Sequence, residues 1–466
     1  MTSPTDTSIS AQFEKVGPFV TEAMERLGVP GAAVGIFYDG QEYTAGFGVT
    51  NLNHPLPVTD ETLFLIASIS KTFTATTTMR LVDQGLVDLD TPIKTYLPEL
   101  QLKDPEATEK ATLRHVFTHH GGWTGDYFGD FGRGDDALAK NVADMVNLEQ
   151  LTPLGETFSY NNAGYALAAR IVEVKTGKPY ETAVKELVLD PLGMEHTFYF
   201  PEDAMTYRVA AGHQVHFDGR PTEVVRPWGW PRTSAALGGL ITNVKDLLRY
   251  ARFQMGDGSW TDKNGKKIQL LKPETVQYMQ SKQSDGGSMT EAVGIAWMLR
   301  QAGEVRLIGH GGAAHCQMSI LQIAPDQQFA VCVTTNASIG TNLCGEIVKF
   351  SLETFLGVSE GEAEHLQLDS ELLSSYTGQY EAVLGKLVVE LREGQLYLQS
   401  LPARPFPSAD FMPPTPPEVR LAFTGPDQVV SLDYPSKGGK GDFLRDKDGA
   451  IVWFRLGGRI HRKINS

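Results

Sequence analysis

The sequence predicts an α+β fold, with one antiparallel sheet flanked by helices and a small all-β unit after it. Residues 32–48, AAVGIFYDGQEYTAGFG, place two apolar runs around Asp39-Gly40, a strong signal for a β-hairpin. A mostly helical pattern runs from about residue 62 to 285, and strand patterns return from about residue 293. The hairpin and the late strands are therefore expected to share one sheet. The segment between them supplies the flanking helices and a mainly helical subdomain.

Individual elements follow from local signals. Leu63–Gln84 and Asn161–Lys175 are predicted helices, the second with Gly177 as its C-cap. Residues 342–356 form an amphipathic helix that Gly357 ends. The late strands are predicted in VGIAWMLR, VRLIGH, QMSILQIA and FAVCVTTN.

The C-terminal part has a different pattern. After a polar linker, VSEGEAEH (358–365), short alternating runs occur: KLVVELR, QLYLQS, EVRLAF, QVVSLDY and IVWFRL. Turn signals such as Glu393-Gly394 and Asp448-Gly449 separate many of them, as in an up-and-down barrel or a sandwich. The proline-rich segment 402–417 is interpreted as a surface loop. We expect two domains, residues 1–358 and residues 366–466.

Composition excludes several classes of function. The 466-residue chain has a net charge of −15 and no Lys/Arg run, which argues against nucleic-acid binding. The three cysteines show neither CxxC spacing nor a disulfide framework, so we expect buried thiols at Cys316, Cys332 and Cys344. No basic or apolar leader segment opens the sequence, and no apolar run reaches about 18 residues. These features predict a cytoplasmic protein without membrane contact; homo-oligomerisation stays open.

The first chemical motif is Ser68-x-x-Lys71, and no other serine in the chain has a lysine three residues on. On a helix the two side chains would be neighbours. A desolvated lysine has a lowered pKa and can act as a neutral base on the hydroxyl. The alternative is an N-cap serine beside a lysine that extends to solvent.

Two further motifs follow in the chain. Tyr160-Asn161-Asn162 is the only Tyr-x-Asn, and a tyrosine near a lysine can relay a proton. The alternative is a packed tyrosine with a capping asparagine. His310-Gly311-Gly312 precedes an apolar strand, where glycines permit close approach of a bound acyl group. Two similar patterns are decoys because of their place in the chain. His-x-Gly at His119 and His120 lies between the first two motifs, and Lys175-Thr176-Gly177 lies at the end of the helix that follows the second.

In that order, the three motifs resemble those of the serine β-lactamase and penicillin-binding protein superfamily, in its class C-type branch of esterases, D-aminopeptidases and related acyl-transferring enzymes. The resemblance runs from about Gly28 to Gly357 and includes FSYNNAGYALAARIVEVKTGKPY and LGGLITNVKDLLRY. It implies a β-lactamase/transpeptidase-like sheet. YTGQYE, GQLYLQ and GRIHRK resemble, more loosely, the lipocalin-like barrel appended to some D-aminopeptidases and peptide-cyclising thioesterases.

The resemblance also implies roles for single residues. Ser68 would be the nucleophile and Lys71 its base. Tyr160 would protonate the leaving group and activate the deacylating water, and Asn162 would orient the substrate. The backbone N–H groups of Ser68 and Ala313 would form the oxyanion hole.

One residue departs from the family pattern, since many β-lactamases have lysine at the position of His310. A histidine is often neutral at pH 7 and holds a substrate carboxylate less firmly, which favours ester or peptide substrates over β-lactams. The absence of Gly-x-Ser-x-Gly argues against an α/β-hydrolase. Three functions remain: a hydrolase of esters or amides, an acyltransferase or peptide cyclase, and a β-lactam-binding protein or β-lactamase. Retention of both Tyr160 and Lys71 favours the first two.

The remaining candidates lie in loops. Glycines and aromatics alternate in HHGGWTGDYFGDFGRGDD (119–136), which is interpreted either as a lid over the cleft or as a packed irregular loop. Trp123 and Tyr127 of this loop are candidate substrate contacts beside Gly311 and Gly312. Trp228 and Trp230 of RPWGWPR are further candidates, with packing in the core as the alternative. No carboxylate completes a zinc-type set with His115, His119 and His120, so neither a metal nor a cofactor is expected.

Overall fold

The computed structural model describes residues 4–359, 361, 364–403 and 412–464. The predicted linker 358–365 and loop 402–417 thus lie partly outside the described residues. The helices are α1 Pro4–Glu14, α2 Val16–Leu27, α3 Ser70–Asp83, α4 Ile93–Tyr96, α5 Pro105–Lys110, α6 Leu113–Phe117, α7 Ala137–Asp144, α8 Gly164–Thr176, α9 Tyr180–Val184, α10 Asp190–Leu192, α11 Pro201–Ala204, α12 Ala235–Gly238, α13 Val244–Met255, α14 Pro273–Met279, α15 Gly340–Ser351 and α16 Ser370–Ser375.

The first fourteen strands belong to the larger part of the molecule. They are β1 Gly31–Tyr38, β2 Gln41–Gly48, β3 Phe64–Leu65, β4 His213–Gln214, β5 Glu223–Val224, β6 Ile241–Thr242, β7 Ser259–Thr261, β8 Lys267–Gln269, β9 Ser284–Gly286, β10 Thr290–Val293, β11 Met298–Ala302, β12 Val305–Ala314, β13 Gln317–Ala324 and β14 Phe329–Thr335. Eight of them form one antiparallel sheet in the order β2-β1-β14-β13-β12-β11-β10-β9.

This sheet confirms the predicted joining of the first hairpin to the late strands. Strand β1 pairs with β2 on one side and with β14 on the other, both antiparallel. Asp39 and Gly40 both have positive φ, 46° and 77°, as a tight hairpin turn requires. One apolar cluster fills the space between the sheet and α2 and α15, and a second lies between the other face and the helical region around α3, α8 and α13. Both faces are therefore covered.

The predicted helix Leu63–Gln84 was wrong at its start. Phe64–Leu65 pairs instead with Ile241–Thr242, and a 3₁₀ turn, Ala67–Ile69, leads into α3. The apolar run LFLI satisfies a helix pattern as well as a strand pattern, and its distant strand partner decides between them. The predicted C-cap Gly177 is confirmed, with φ of 67° after α8.

The C-terminal strands close into an eight-stranded antiparallel barrel, so the barrel and not the sandwich is confirmed. They are β15 Gly378–Ala382, β16 Gly385–Arg392, β17 Gln395–Pro402, β18 Val419–Gly425, β19 Gln428–Ser431, β20 Lys440–Arg445, β21 Ile451–Leu456 and β22 Arg459–Ile464. Inward side chains of alternate residues fill its core, as in other small barrels. No helix in the described part of the chain is long and apolar enough to cross a bilayer.

The barrel docks beside the second predicted motif. The turn between β21 and β22 contributes the Gly458 carbonyl, which accepts from Tyr160 N at 2.8 Å. Arg455 donates to the Phe158 carbonyl at 2.8 Å and is paired with the buried Asp442. These contacts hold the barrel turn against the residues that flank Tyr160.

Limited proteolysis tests the predicted division into residues 1–358 and 366–466. We expect a first cut within 358–365, because exposed polar linkers are the preferred sites of nicking. The two fragments should then co-elute in native gel filtration, since Arg455 and Gly458 hold them together. Mass spectrometry of the separated fragments checks the cut. Progressive degradation of the barrel fragment would mean that it is not a separate folding unit.

Candidate active site

Ser68 sits in the 3₁₀ turn before α3, with its side chain half-buried. The preceding Ala67 has φ of 47°, a left-handed conformation that a non-glycine residue adopts only where its surroundings enforce it. Ser70 enforces the turn: its hydroxyl donates to the Ala67 carbonyl at 2.7 Å and accepts from Leu240 N at 3.0 Å. The position of Ser68 is thus fixed before the helix begins.

Lys71 is fully buried, and its Nζ lies 3.0 Å from Ser68 Oγ. Nζ also donates to the Leu237 carbonyl at 2.6 Å. Burial, followed by the positive charge of Arg459, lowers the pKa of Lys71 well below its ordinary value, against the opposing effect of Asp126. A lowered pKa increases the share of free amine at a given pH, and a free amine can accept the proton of the Ser68 hydroxyl.

Tyr160 is buried beside this pair, with Lys71 Nζ 5.1 Å from the centre of its ring. Burial raises the pKa of Tyr160, and a hydrogen bond with Ser68 opposes the increase only in part. The phenol therefore keeps its proton at neutral pH. The His119 ring stacks on Tyr160 at 4.4 Å, and its Nδ1 accepts from Asn161 N at 2.9 Å. The fold thus brings the first two motifs together.

Asn162 is connected to the barrel through two successive hydrogen bonds. Its Nδ2 donates to Asp126 Oδ1 at 2.8 Å, and Asp126 Oδ2 accepts from Arg459 Nε at 2.7 Å. The Arg459 guanidinium also lies over the Tyr160 ring, 4.9 Å from its centre. One charged side chain of the barrel therefore belongs to the environment of the catalytic candidates.

Replacing Arg459 with glutamine is expected to move the acid limb of the pH–rate profile to higher pH. The variant loses a positive charge that lowers the pKa of Lys71, and it leaves the raising effect of Asp126 unbalanced. The Lys71 pKa rises in consequence, and less free amine is present at a given pH. Because 32% of the Arg459 side chain is exposed, solvent screens part of this effect. Measurements of kcat/KM against pH check it.

Two further variants separate charge from shape. Arg459→Lys keeps the positive charge, so its acid limb should stay near that of the parent protein. The double variant Arg459→Gln, Asp126→Asn removes both charges. Its acid limb should therefore return most of the way to the position found in the parent protein. If Arg459→Gln lowers the rate equally at every pH, its effect on Lys71 is not electrostatic.

The third motif lies on β12, next to the Ser68 turn. Gly312 permits this contact: a Cβ there would lie 2.2 Å from the Ile66 carbonyl and 2.4 Å from Ser319 Oγ. Gly311 and Ala313 are exposed on the strand. His310 is buried, donates from Nδ1 to the Gly311 carbonyl at 2.6 Å, and has a pKa lowered to about 3 by burial and by Lys71. It is therefore neutral at pH 7.

The aromatic candidates occupy different environments. Trp123 is 2% exposed and belongs to the main core cluster. Tyr127 donates to Asp144, and Arg232 binds Asp135 at 2.8 Å, so the loop 119–136 is held at several points. Trp228 and Trp230 pack on the cluster that contains Ala67. Substrate contact by any of them, and movement of the loop as a lid, remain predictions.

Sequence reasoning missed Asp126, Arg459 and the place of His119, which it set aside as a decoy. Asp126 is one acidic residue in a glycine-rich loop, and Arg459 belongs to a short barrel-strand pattern, GRIHRK. No local signal marks either as an ion pair. The positive φ of His119, 61°, is likewise visible only in the structure.

Comparison with known proteins shows the family of the chain. Residues 18–342 match the family model described as beta-lactamase. The chain belongs to the β-lactamase family. This β-lactamase-family chain is 32% identical to penicillin-binding protein 4 of Amycolatopsis lactamdurans, over 71% of its own length and 87% of that protein. Further relatives include the D-aminopeptidase of Gluconobacter oxydans, 28% identical over 53% of this chain and 46% of that protein, and the chain is a serine hydrolase of this superfamily.

Solved structures extend the similarity to the barrel. SurE in complex with D-Leu is 25% identical, with a TM-score of 0.73, and the match covers 98% of this β-lactamase-family chain and 100% of SurE. The D-amino acid amidase of Ochrobactrum anthropi, complexed with L-phenylalanine amide, is 25% identical with a TM-score of 0.61. That match covers 75% of this chain and 98% of the amidase.

Proposed function

We propose that the protein hydrolyses ester or amide bonds through an acyl-enzyme on Ser68, with acyl groups that include D-amino acids. The observation that carries the proposal is the 3.0 Å contact between Ser68 Oγ and the buried Nζ of Lys71. A free amine in that position takes the hydroxyl proton as Oγ attacks the substrate carbonyl. The known structures with D-Leu and with an amino acid amide support the substrate class.

Acylation and deacylation then use the same groups in opposite order. As the tetrahedral intermediate collapses, the bond to the leaving group breaks and the leaving group receives a proton from Tyr160, which Lys71 replenishes. In deacylation a water molecule attacks the acyl carbon and loses a proton to Lys71 through Tyr160. The bond between the acyl carbon and Ser68 Oγ then breaks, and Oγ takes that proton from Lys71. The backbone N–H groups of Ser68 and Ala313 stabilise the negative oxygen in both steps.

The neutral state of His310 supports esters and amides over β-lactams. A β-lactam carries a carboxylate, and a neutral imidazole offers it no full positive charge. The similarity to penicillin-binding protein 4 keeps β-lactam binding as a second candidate. Acyl transfer to an amine, as in a peptide cyclase, would use the same acyl-enzyme and differ only in the acceptor.

One panel of substrates tests these functions on a single preparation. It contains p-nitrophenyl esters, D- and L-aminoacyl amides and nitrocefin, each with and without an added amine. We expect turnover of the esters and of D-aminoacyl amides, none with Ser68→Ala, and little with nitrocefin. Transfer products that dominate in the presence of amine would identify a transferase. A stable adduct with every ester and amide would contradict the hydrolase and indicate a trap.

A further inference from the structure

One histidine contacts three consecutive residues of the loop that carries the second motif. The Ser159 N–H donates to the His119 carbonyl at 3.0 Å, and the Asn161 N–H donates to His119 Nδ1 at 2.9 Å. Between these two contacts the His119 ring stacks on the Tyr160 ring, with 4.4 Å between the centroids and 25° between the planes. His119 therefore holds the backbone on both sides of Tyr160 and also its side chain.

The backbone of His119 has an uncommon conformation. Its φ is 61°, in the left-handed region, where histidine, asparagine and aspartate are enriched among non-glycine residues. With this backbone, the carbonyl oxygen and the ring both reach the Tyr160 loop. Strained backbone of this kind concentrates at functional sites, which suggests a role for His119 beyond packing.

The hydrogen bond from Asn161 also fixes the state of the ring. A ring nitrogen that accepts from a backbone N–H carries no proton, so the proton of neutral His119 lies on Nε2. Burial, followed by the positive charge of Lys71, holds the pKa of His119 well below its ordinary value. Protonation would set two N–H groups against each other and break the contact. The neutral ring is therefore the form that binds the second motif.

We propose that His119 is a positioning residue that holds the Tyr160 hydroxyl where it can protonate the leaving group. His119 is fully buried, so it acts through Tyr160 and not on the substrate. The inference rests on the proposed acyl-enzyme at Ser68, in which Tyr160 gives that proton. A misplacement of about 1 Å can lower the rate of such a step by roughly 10²-fold.

Esters with leaving groups of different basicity test this role. One acyl part is joined in turn to p-nitrophenol, to phenol and to a simple alcohol, and kcat/KM measures the steps up to release of each leaving group. p-Nitrophenolate leaves without a proton, whereas an alkoxide needs one as its bond to the acyl carbon breaks. A misplaced Tyr160 hydroxyl should therefore slow the alkyl ester most.

Three variants give the comparison. His119→Gly keeps the positive φ without steric cost, and we expect it to lower kcat/KM roughly 10²-fold for the alkyl ester and less than about threefold for the p-nitrophenyl ester. His119→Asn tolerates positive φ and can accept from the Asn161 N–H through Oδ1, so part of the loss should be recovered. His120→Ala is the matched control, because His120 is a buried neighbour whose Nδ1 contacts the Thr118 carbonyl at 2.7 Å. It should keep the leaving-group dependence of the parent protein.

A Tyr160→Phe background shows whether His119 acts through Tyr160. Without the phenol hydroxyl, His119→Gly should cause little further loss for the alkyl ester, because residues that act as a unit are not additive. Losses that multiply in the double variant would mean that His119 acts independently of Tyr160, and they would overturn the proposal.

A fluorophosphonate probe separates this inference from the proposed function. A bond forms between Ser68 Oγ and phosphorus, the P–F bond breaks, fluoride leaves without a proton from Tyr160, and the hydroxyl proton passes to Lys71. Mass spectrometry with peptide mapping should show equal labelling of Ser68 in the parent protein and in His119→Gly.

The outcomes then differ. If both proteins are labelled and His119→Gly slows every ester alike, His119 only supports the fold and the positioning role is wrong. If only the parent protein is labelled, His119 supports Ser68 and the role is again wrong. If neither is labelled, the proposed function fails and this inference with it. Should circular dichroism show that His119→Gly does not fold, His119→Gln replaces it, because its longer side chain offers no acceptor at the place of Nδ1.

Discussion

Replacing Lys71 with alanine is expected to lower kcat/KM for the best ester by roughly 10²–10⁴-fold, the usual cost of losing a general base. The loss can be larger, because a nucleophile and its base act as a unit. Lys71 Nζ contacts Ser68 Oγ at 3.0 Å, and alanine leaves nothing at that position to accept the proton. Steady-state kinetics with p-nitrophenyl esters measures the change.

Lys71→Ala needs controls for folding and for generic loss of a lysine. Thermal unfolding followed by circular dichroism shows whether the variant keeps the fold. Lys175→Ala is a matched control, because Lys175 lies at the end of α8 with its Nζ 4.7 Å from the Tyr96 ring centre. Its activity should stay near that of the parent. Near-normal rates in Lys71→Ala, with Ser68 also dispensable, would contradict the site assignment.

Replacing Tyr160 with phenylalanine is expected to slow turnover by roughly 10²-fold or more, since it removes a proton relay and leaves the nucleophile in place. Burial keeps the phenol protonated, so its hydroxyl can give a proton to the leaving group. In deacylation it can pass its proton to Lys71 as it receives one from the attacking water. Where deacylation slows more than acylation, the acyl-enzyme accumulates. A burst of the first product should then precede a slower steady state.

Mass spectrometry identifies the intermediate. Tyr160→Phe quenched in acid during the reaction should carry an added mass equal to the acyl part, and peptide mapping should place it on Ser68. Tyr250→Phe is the matched control, because it removes a buried hydroxyl that contacts Thr76 at 2.9 Å, away from Ser68. That variant should lose some stability and little activity. A label on a residue other than Ser68 would refute the mechanism.

Local signals predicted the parts of the fold that depend on neighbours in sequence. The Asp39-Gly40 turn and the Gly177 cap require positive φ, and those residue types supply it at low cost. The start of the Ser68 helix could not be predicted in this way. Phe64–Leu65 is a strand because Ile241–Thr242 lies beside it, and pairing between segments so far apart leaves no pattern in either.

The candidate site also contains residues that the sequence predicts and residues that only the fold brings together. Ser68, Lys71 and Tyr160 follow from residue types and order, because the chemistry requires a nucleophile, a base and a relay. Asp126 and Arg459 are 333 residues apart and meet only when the barrel packs on the helical region.

The link from Asn162 through Asp126 to Arg459 has a consequence for the order in which the protein becomes active. A ribosome makes the chain from its N-terminus, so Ser68 and Lys71 leave the exit tunnel hundreds of residues before Arg459. During that interval the nascent chain lacks the cation that lowers the pKa of Lys71. A smaller share of Lys71 is then free amine. A chain that ends before β22 is therefore expected to hold a less reactive Ser68 than the complete protein.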